Sequence, residues 1–196
     1  GLETPDLIHQ VHIDLWKENQ NSEESSLGQL TVKMKFEEND LKVDILNAKN
    51  LVPMDSNGSS DSFVRVHLLP EERFTNIPKP KTQTQHKTLF PLFDESFTLK
   101  LSPEQRNIPD GLVLFSCKDY DMLGYNNQYI GEAMVHFKDI PNGTGSLDSQ
   151  PQMTLELRRP KTLETDALKA LEYRQGDKQA KEFIRRYKMK MAVAKG

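Results

Sequence analysis

The stretch QLTVKMKFEENDLKVDI, residues 29–45, decides the fold. Leu30, Val32, Met34 and Phe36 alternate with polar residues, Asn39-Asp40 interrupts the run, and Leu41, Val43 and Ile45 resume it. Alternation with period two puts one row of side chains on a buried face, and a turn signal between two such runs folds the chain back antiparallel. The pattern returns on either side of further turns: at Phe63, Val64 and Val66, at Phe97, Leu99 and Leu101, and from Leu112. Ile130–Phe137 and Met153–Leu157 bring the count to about eight short strands, the arithmetic of an all-β antiparallel sandwich. Residues 28–160 are therefore expected to form one domain of that class.

The flanks change period. In residues 1–27, Thr4 is placed to cap a short helix, Pro5 suits its first turn, and Leu7, Ile8, Val11 and Leu15 share a face. The polar run ENQNSEESS (18–26) follows as a linker. A helix this short is marginal alone, so the segment reads as the end of a preceding helical domain. Residues 161–196 return to helical spacing, with one apolar stripe at Leu163, Ala167, Leu168 and Leu171. A second stripe runs through Ala180, Phe183, Ile184, Tyr187 and Met191, with lysines and arginines crowding the rest of that helix.

Composition excludes several classes. The net charge of -3 hides a split: residues 158–196 carry 12 Lys/Arg against 5 Asp/Glu, and residues 1–157 carry 14 against 24. An acidic body with a basic end argues against nucleic acid as a partner. No apolar run reaches membrane-span length, and GLETPDLIHQ lacks the order of a signal peptide. The single cysteine, Cys117, rules out an internal disulfide and suits a reducing cytosol. It also continues the apolar alternation of Val113 and Phe115, which marks a core side chain rather than a nucleophile. With no nucleophile elbow, phosphate loop or zinc-protease motif, the chain reads as a non-enzyme.

The chemistry gathers in two acidic loops. Met54-Asp55-Ser56-Asn57-Gly58-Ser59-Ser60-Asp61 joins two strands, and its Asn57-Gly58 turn folds Asp55 toward Asp61. Asp119-Tyr120-Asp121 ends another strand, where residues two apart point the same way. If both loops emerge at one end of the sandwich, four carboxylates converge. Two unit charges ~4 Å apart repel by ~1 kcal/mol even in water. A hard cation relieves that, and calcium takes oxygen ligands in adaptable geometry, whereas zinc prefers His or Cys, which neither loop holds. Aspartates are also ordinary turn formers, and one such loop alone would carry no metal argument. The faint EF-hand echo in Asp55-Ser56-Asn57-Gly58 fails, because the glycine comes too early and strands flank it.

Leu46-Asn47-Ala48-Lys49-Asn50-Leu51 with Met54-Asp55 through Val64 resembles the first calcium loop of a C2 domain. Lys87-Thr88-Leu89-Phe90-Pro91-Leu92-Phe93-Asp94-Glu95-Ser96-Phe97 is similar to the C2 segment K-T-L-x-P-x-F-x-E-x-F. Asp119-Tyr120-Asp121 followed by Ile130-Gly131-Glu132 is similar to the third loop and its following strand. The resemblance implies an eight-stranded C2 sandwich of synaptotagmin-type strand order, with short flanking helices. It implies calcium ligation by Asp55, Asp61, Asp119 and Asp121, joined by the Tyr120 carbonyl. Gln128, with Asn127 beside it, stands where the family usually has a fifth carboxylate, so a second ion is expected to bind more weakly. Met122, Leu123 and Tyr125 are the implied membrane-inserting residues. Arg65, Lys79, Lys81 and Lys87 are candidates for phosphoinositide headgroups, and a solvated strand face accounts for them equally well.

Both flanks resemble the C-terminal region of Unc-13 (Munc13-like) family proteins, through Thr4–Gln10 and the stretch from Ala167 to Ile184. The DSNGSSD loop looks most like the shorter, largely non-neuronal branch. That resemblance implies calcium-dependent binding to anionic phospholipid membranes (phosphatidylserine, with phosphoinositides a further candidate) and vesicle docking and priming in regulated exocytosis. SNARE proteins are the implied partners, and a peripheral site on the plasma membrane or a secretory vesicle, from the cytoplasm, is the implied location. The competing reading is a calcium-independent protein-interaction module for SNAREs or a small GTPase.

Overall fold

The computed structural model describes residues 2–120 and 128–192, and the chain divides into two compact units. One is Ser25–Arg158. The other joins the chain's two ends, up to Glu24 and from Arg159 onward.

Ser25–Arg158 is a sandwich of two antiparallel sheets. The chain runs β1 (Gln29–Glu37), β2 (Asp40–Lys49), β3 (Ser62–Leu69) and β4 (Leu92–Lys100). A single-turn helix, α2 (Pro103–Arg106), precedes β5 (Leu112–Asp119), β6 (Gln128–His136) and β7 (Met153–Glu156). One sheet is ordered β4-β2-β1-β7 and the other β3-β5-β6. β1 and β2 form the expected hairpin, paired from Gln29↔Lys49 to Glu37↔Asp40. Glu38 takes a φ of 55° in its two-residue turn, the left-handed backbone that tight hairpins favour. Leu30, Val32, Met34 and Phe36 are all buried and meet Val64, Val66, Phe115 and Cys117 of the facing sheet in one core.

Two departures from simple alternation have physical causes. Lys35 should face water, yet it is fully buried: its ammonium lies 3.2 Å from Glu37 Oε1 and donates to the Gly145 carbonyl, so a charged partner and a carbonyl replace the lost water. The described residues hold seven strands, and the eighth segment, residues 80–85, runs along β3 through isolated bridges at Arg65↔Lys81 and Ser62↔Gln85. Pro80 has no amide to donate, and the Thr82 hydroxyl rather than a carbonyl accepts from the Val64 amide at 3.0 Å, so no continuous ladder forms.

The second unit is helical: α1 (Thr4–Gln20), α3 (Asp166–Tyr173) and α4 (Lys178–Ala192). Leu7, Val11, Leu15 and Trp16 of α1 are buried, as are Leu168 and Leu171 of α3 and Ile184 and Tyr187 of α4. His12 and Phe183 meet edge to face at 5.5 Å. Glu3, not Thr4, is the N-cap of α1, and its amide donates to Asp6 Oδ2 at 3.2 Å. The Thr4 hydroxyl is engaged instead by Asp177, whose other carboxylate oxygen accepts from the Gln179 and Ala180 amides at 2.9 and 3.1 Å and so opens α4. No helix among the described residues is long and apolar enough to cross a membrane.

Candidate metal centre

Three segments meet at one end of the sandwich. β5 ends at Asp119 and β3 begins at Ser62, and these two residues are paired. Pairing sets Asp61, one residue ahead of β3, beside Asp119. The Asp61 amide donates to Asp119 Oδ1 at 2.7 Å, and the Tyr120 amide donates to the Asp61 carbonyl at 2.7 Å.

The loop before β3 is closed by its own backbone. The Met54 and Asp55 amides donate to the Ser59 carbonyl at 3.0 and 2.9 Å, and the Gly58 amide donates to the Asp55 carbonyl at 3.0 Å. Gly58 has a φ of 82°, which a side chain would resist. Asn57 Oδ1 accepts from both the amide and the hydroxyl of Ser59. Inside the loop the buried Ser60 hydroxyl donates to the Val52 carbonyl at 2.9 Å and accepts from the Met54 amide at 3.0 Å. This closure brings one carboxylate oxygen of Asp55 within 4.8 Å of one each from Asp61 and Asp119.

The third segment, residues 85–91, had no part in the sequence reading of the metal site. The Lys87 amide donates to Asp61 Oδ1 at 2.7 Å and the Thr88 amide to the Ser60 carbonyl at 3.0 Å. His86 Nδ1 lies 3.5 Å from Asp61 Oδ1, and its ring stands edge-on to Tyr120 at 6.5 Å. Ser60 and His86 were likewise missed. Neither carries a local motif: Ser60 acts through the folding of its own loop, and His86 reaches the site only because its segment is held against Ser60 and Asp61.

The electrostatics match the geometry. Burial first, then the charge of Asp61, then a hydrogen bond with Asp61 push the Asp55 carboxyl above its ordinary value. A group in that position gains by being neutralised, by a proton or a cation. The donor set is all carboxylate oxygen, from a loop and a strand end, which fits calcium rather than a metal that prefers nitrogen or sulfur.

Of the other predicted site residues, Tyr120 follows Asp119 and is 40% exposed, and Gln128 opens β6 opposite Asp119, exposed. Asp121, Met122, Leu123, Tyr125 and Asn127 lie outside the described residues. Arg65, Lys79 and Lys81 come together on and beside β3: Arg65 pairs with Lys81 and donates to the Lys79 carbonyl at 2.8 Å. Lys79 is ion-paired with Glu71, and Lys81 lies 5.6 Å over the Phe63 ring. Lys87 stands apart from those three, at the carboxylate end.

Comparison with known proteins agrees with the two-sheet sandwich fold. The chain is 45% identical over 189 residues to "Protein unc-13 homolog 4B" of Drosophila melanogaster, covering 96% of this chain and 16% of that protein. It is 34% identical over 193 residues to "Protein unc-13 homolog D" of Homo sapiens, covering 95% of this chain and 18% of that protein. The chain thus spans less than a fifth of the length of these relatives. The solution structure of the third C2 domain of KIAA1228 protein superposes with a TM-score of 0.56 at 24% identity, covering 72% of this chain and 95% of that one. The model of the C2 domain matches residues 39–151. With over half its length matched by that model, the chain belongs to the C2 domain family.

Proposed function

We propose that this C2 domain binds anionic phospholipid membranes, phosphatidylserine above all, in a calcium-dependent way, and serves vesicle docking and priming in regulated exocytosis. The observation that carries the reading is the convergence of Asp55, Asp61 and Asp119 at one end of the sandwich. Asp121 and the Tyr120 carbonyl extend the ligand set, with Asn127 and Gln128 as neutral oxygen donors. Bound calcium supplies the positive charge that turns this end from repelling anionic headgroups to attracting them. Hydrogen bonds donated by the Lys87 amide to Asp61 and by the Asp61 amide to Asp119 fix both carboxylates, so little ordering cost remains for binding.

Met122, Leu123 and Tyr125 enter the headgroup layer, and Arg65, Lys79 and Lys81 on and beside β3, with Lys87 at the carboxylate end, attract phosphoinositides. The similarity to Unc-13 proteins supports the exocytic setting, SNARE proteins as partners, and a peripheral position on the cytoplasmic side of the plasma membrane or a secretory vesicle.

Co-sedimentation with phosphatidylserine vesicles across a calcium titration tests this. The wild type should pellet with vesicles in calcium and not in chelator, and Asp55→Asn/Asp61→Asn should lose the calcium-dependent fraction. Equal pelleting in calcium and chelator would instead favour the calcium-independent interaction module.

A further inference from the structure

Among the described residues of Ser25–Arg158, the exposed large hydrophobic side chains are Phe90, Leu92 and Tyr120, and all three lie at the carboxylate end. Scattered exposed hydrophobics are ordinary on a soluble surface, so exposure alone means little. Their concentration at one end is the informative fact.

The segment carrying Phe90 and Leu92 is fixed at both sides. The Lys87 amide is bonded to Asp61 Oδ1, the Thr88 amide to the Ser60 carbonyl, the Leu51 amide to the Leu89 carbonyl, and the Ala48 amide to the Pro91 carbonyl. Leu89 packs against the core, and Pro91 and Phe93 are buried. The intervening side chains therefore face away from it, leaving Phe90 62% and Leu92 67% exposed. Three residues of chain span at most ~11 Å, so the Phe90 backbone lies within that distance of Lys87, whose amide is bonded to Asp61. The same loop that helps hold the carboxylate cluster also carries an exposed aromatic ring.

We propose that Phe90 and Leu92 are a bilayer-inserting contact on the 85–91 loop and the start of β4, entering an anionic membrane together with the calcium-bound end of the domain. The inference rests on the membrane reading above. Two protruding side chains are far short of the ~800 Å² each partner contributes to a stable protein interface. A bilayer demands no complementary shape, and transfer of an aromatic ring out of water is favourable there. Lys87 is exposed three residues away, where a cation can meet lipid phosphate while its neighbours enter the apolar layer. Because the Lys87 amide is bonded to Asp61, the ring approaches the membrane only when the repulsion from the carboxylates has been cancelled.

The test uses the full chain and vesicles of phosphatidylcholine and phosphatidylserine. Phe90→Ala/Leu92→Ala should bind vesicles in saturating calcium about tenfold more weakly than the wild type. Its calcium affinity without lipid should be unchanged. In parallel, an environment-sensitive dye on Phe90→Cys, with Cys117 shielded by burial, should shift to the blue only when calcium and vesicles are both present. Wild-type binding that persists while the double variant matches it and the dye stays unshifted would overturn this proposal and leave the membrane reading standing. Failure of the wild type itself to bind in calcium would overturn both. Loss in the double variant of wild-type self-association, with vesicle affinity unchanged, would assign the patch to a second copy and overturn the bilayer contact.

Discussion

Ser60 shows how much of this site depends on a residue with no charge. Its hydroxyl joins the Val52 carbonyl to the Met54 amide within a loop that must return Asp55 to Asp61. Ser60→Ala removes the hydroxyl from both, although the Met54 amide keeps the Ser59 carbonyl, so the loss is that of about one net hydrogen bond, roughly 1 kcal/mol. Urea unfolding should therefore show a lower midpoint with an unchanged slope, and the loss should be larger in saturating calcium, which stabilises the variant less if its loop holds the ion more weakly. The aspartates were legible because carboxylates beside a turn and at a strand end announce themselves. Cys117 was legible too: alternation places it inward, where burial, with the charge of Asp119 behind it, pushes its thiol up to about 12. Ser60 and His86 were not legible. A serine in a loop looks like any other until the loop's closure shows that its hydroxyl meets the Val52 carbonyl and the Met54 amide.

Elements were readable where the period was clean. β1 and β2 follow from alternation alone, whereas residues 80–85 could be placed only by seeing that Pro80 and the Thr82 hydroxyl interrupt their bridges to β3. In α4 the apolar stripe was plain, but the electrostatics of its outer face were not. Glu182 accepts from Arg185 Nε and Nη2 at 2.9 and 2.6 Å and from Arg186 Nε at 2.8 Å. Those hydrogen bonds, Arg185 first and Arg186 second, hold its carboxyl down to about 2 from an ordinary 4.5. A carboxyl depressed in the folded state stabilises it above the unfolded value and loses that contribution as pH falls through the folded one. The window is pH 4.5 down to about 2, and because the pair is exposed the effect is small and salt-sensitive. Carbon-detected NMR should give Glu182 a midpoint near 2, and Glu182→Gln should flatten the acid side of α4 helicity. A midpoint near 4.5 would mean that the arginines do not hold it in solution.

At the scale of the molecule, the basic surplus of residues 158–196 is largely offset within its own unit, because residues 1–24 belong to that unit and carry 6 Asp/Glu against 1 Lys/Arg, which leaves the net negative charge on Ser25–Arg158. The sandwich and its acidic end were foreseeable from pattern and spacing. The joining of α1 with α3 and α4 was not, because amphipathic stripes say that a helix needs a partner without saying which one. The membrane reading makes calcium and lipid linked ligands: headgroups that are drawn to the neutralised carboxylate end must, by reciprocity, raise the affinity for calcium. The most direct measurement is the half-saturating calcium concentration of the full chain, with and without phosphatidylserine vesicles. Binding should be saturable and move to lower calcium when vesicles are present, and Asp55→Asn/Asp61→Asn should abolish it. The same half-saturation with and without vesicles, or no saturable binding at all, would contradict the membrane reading.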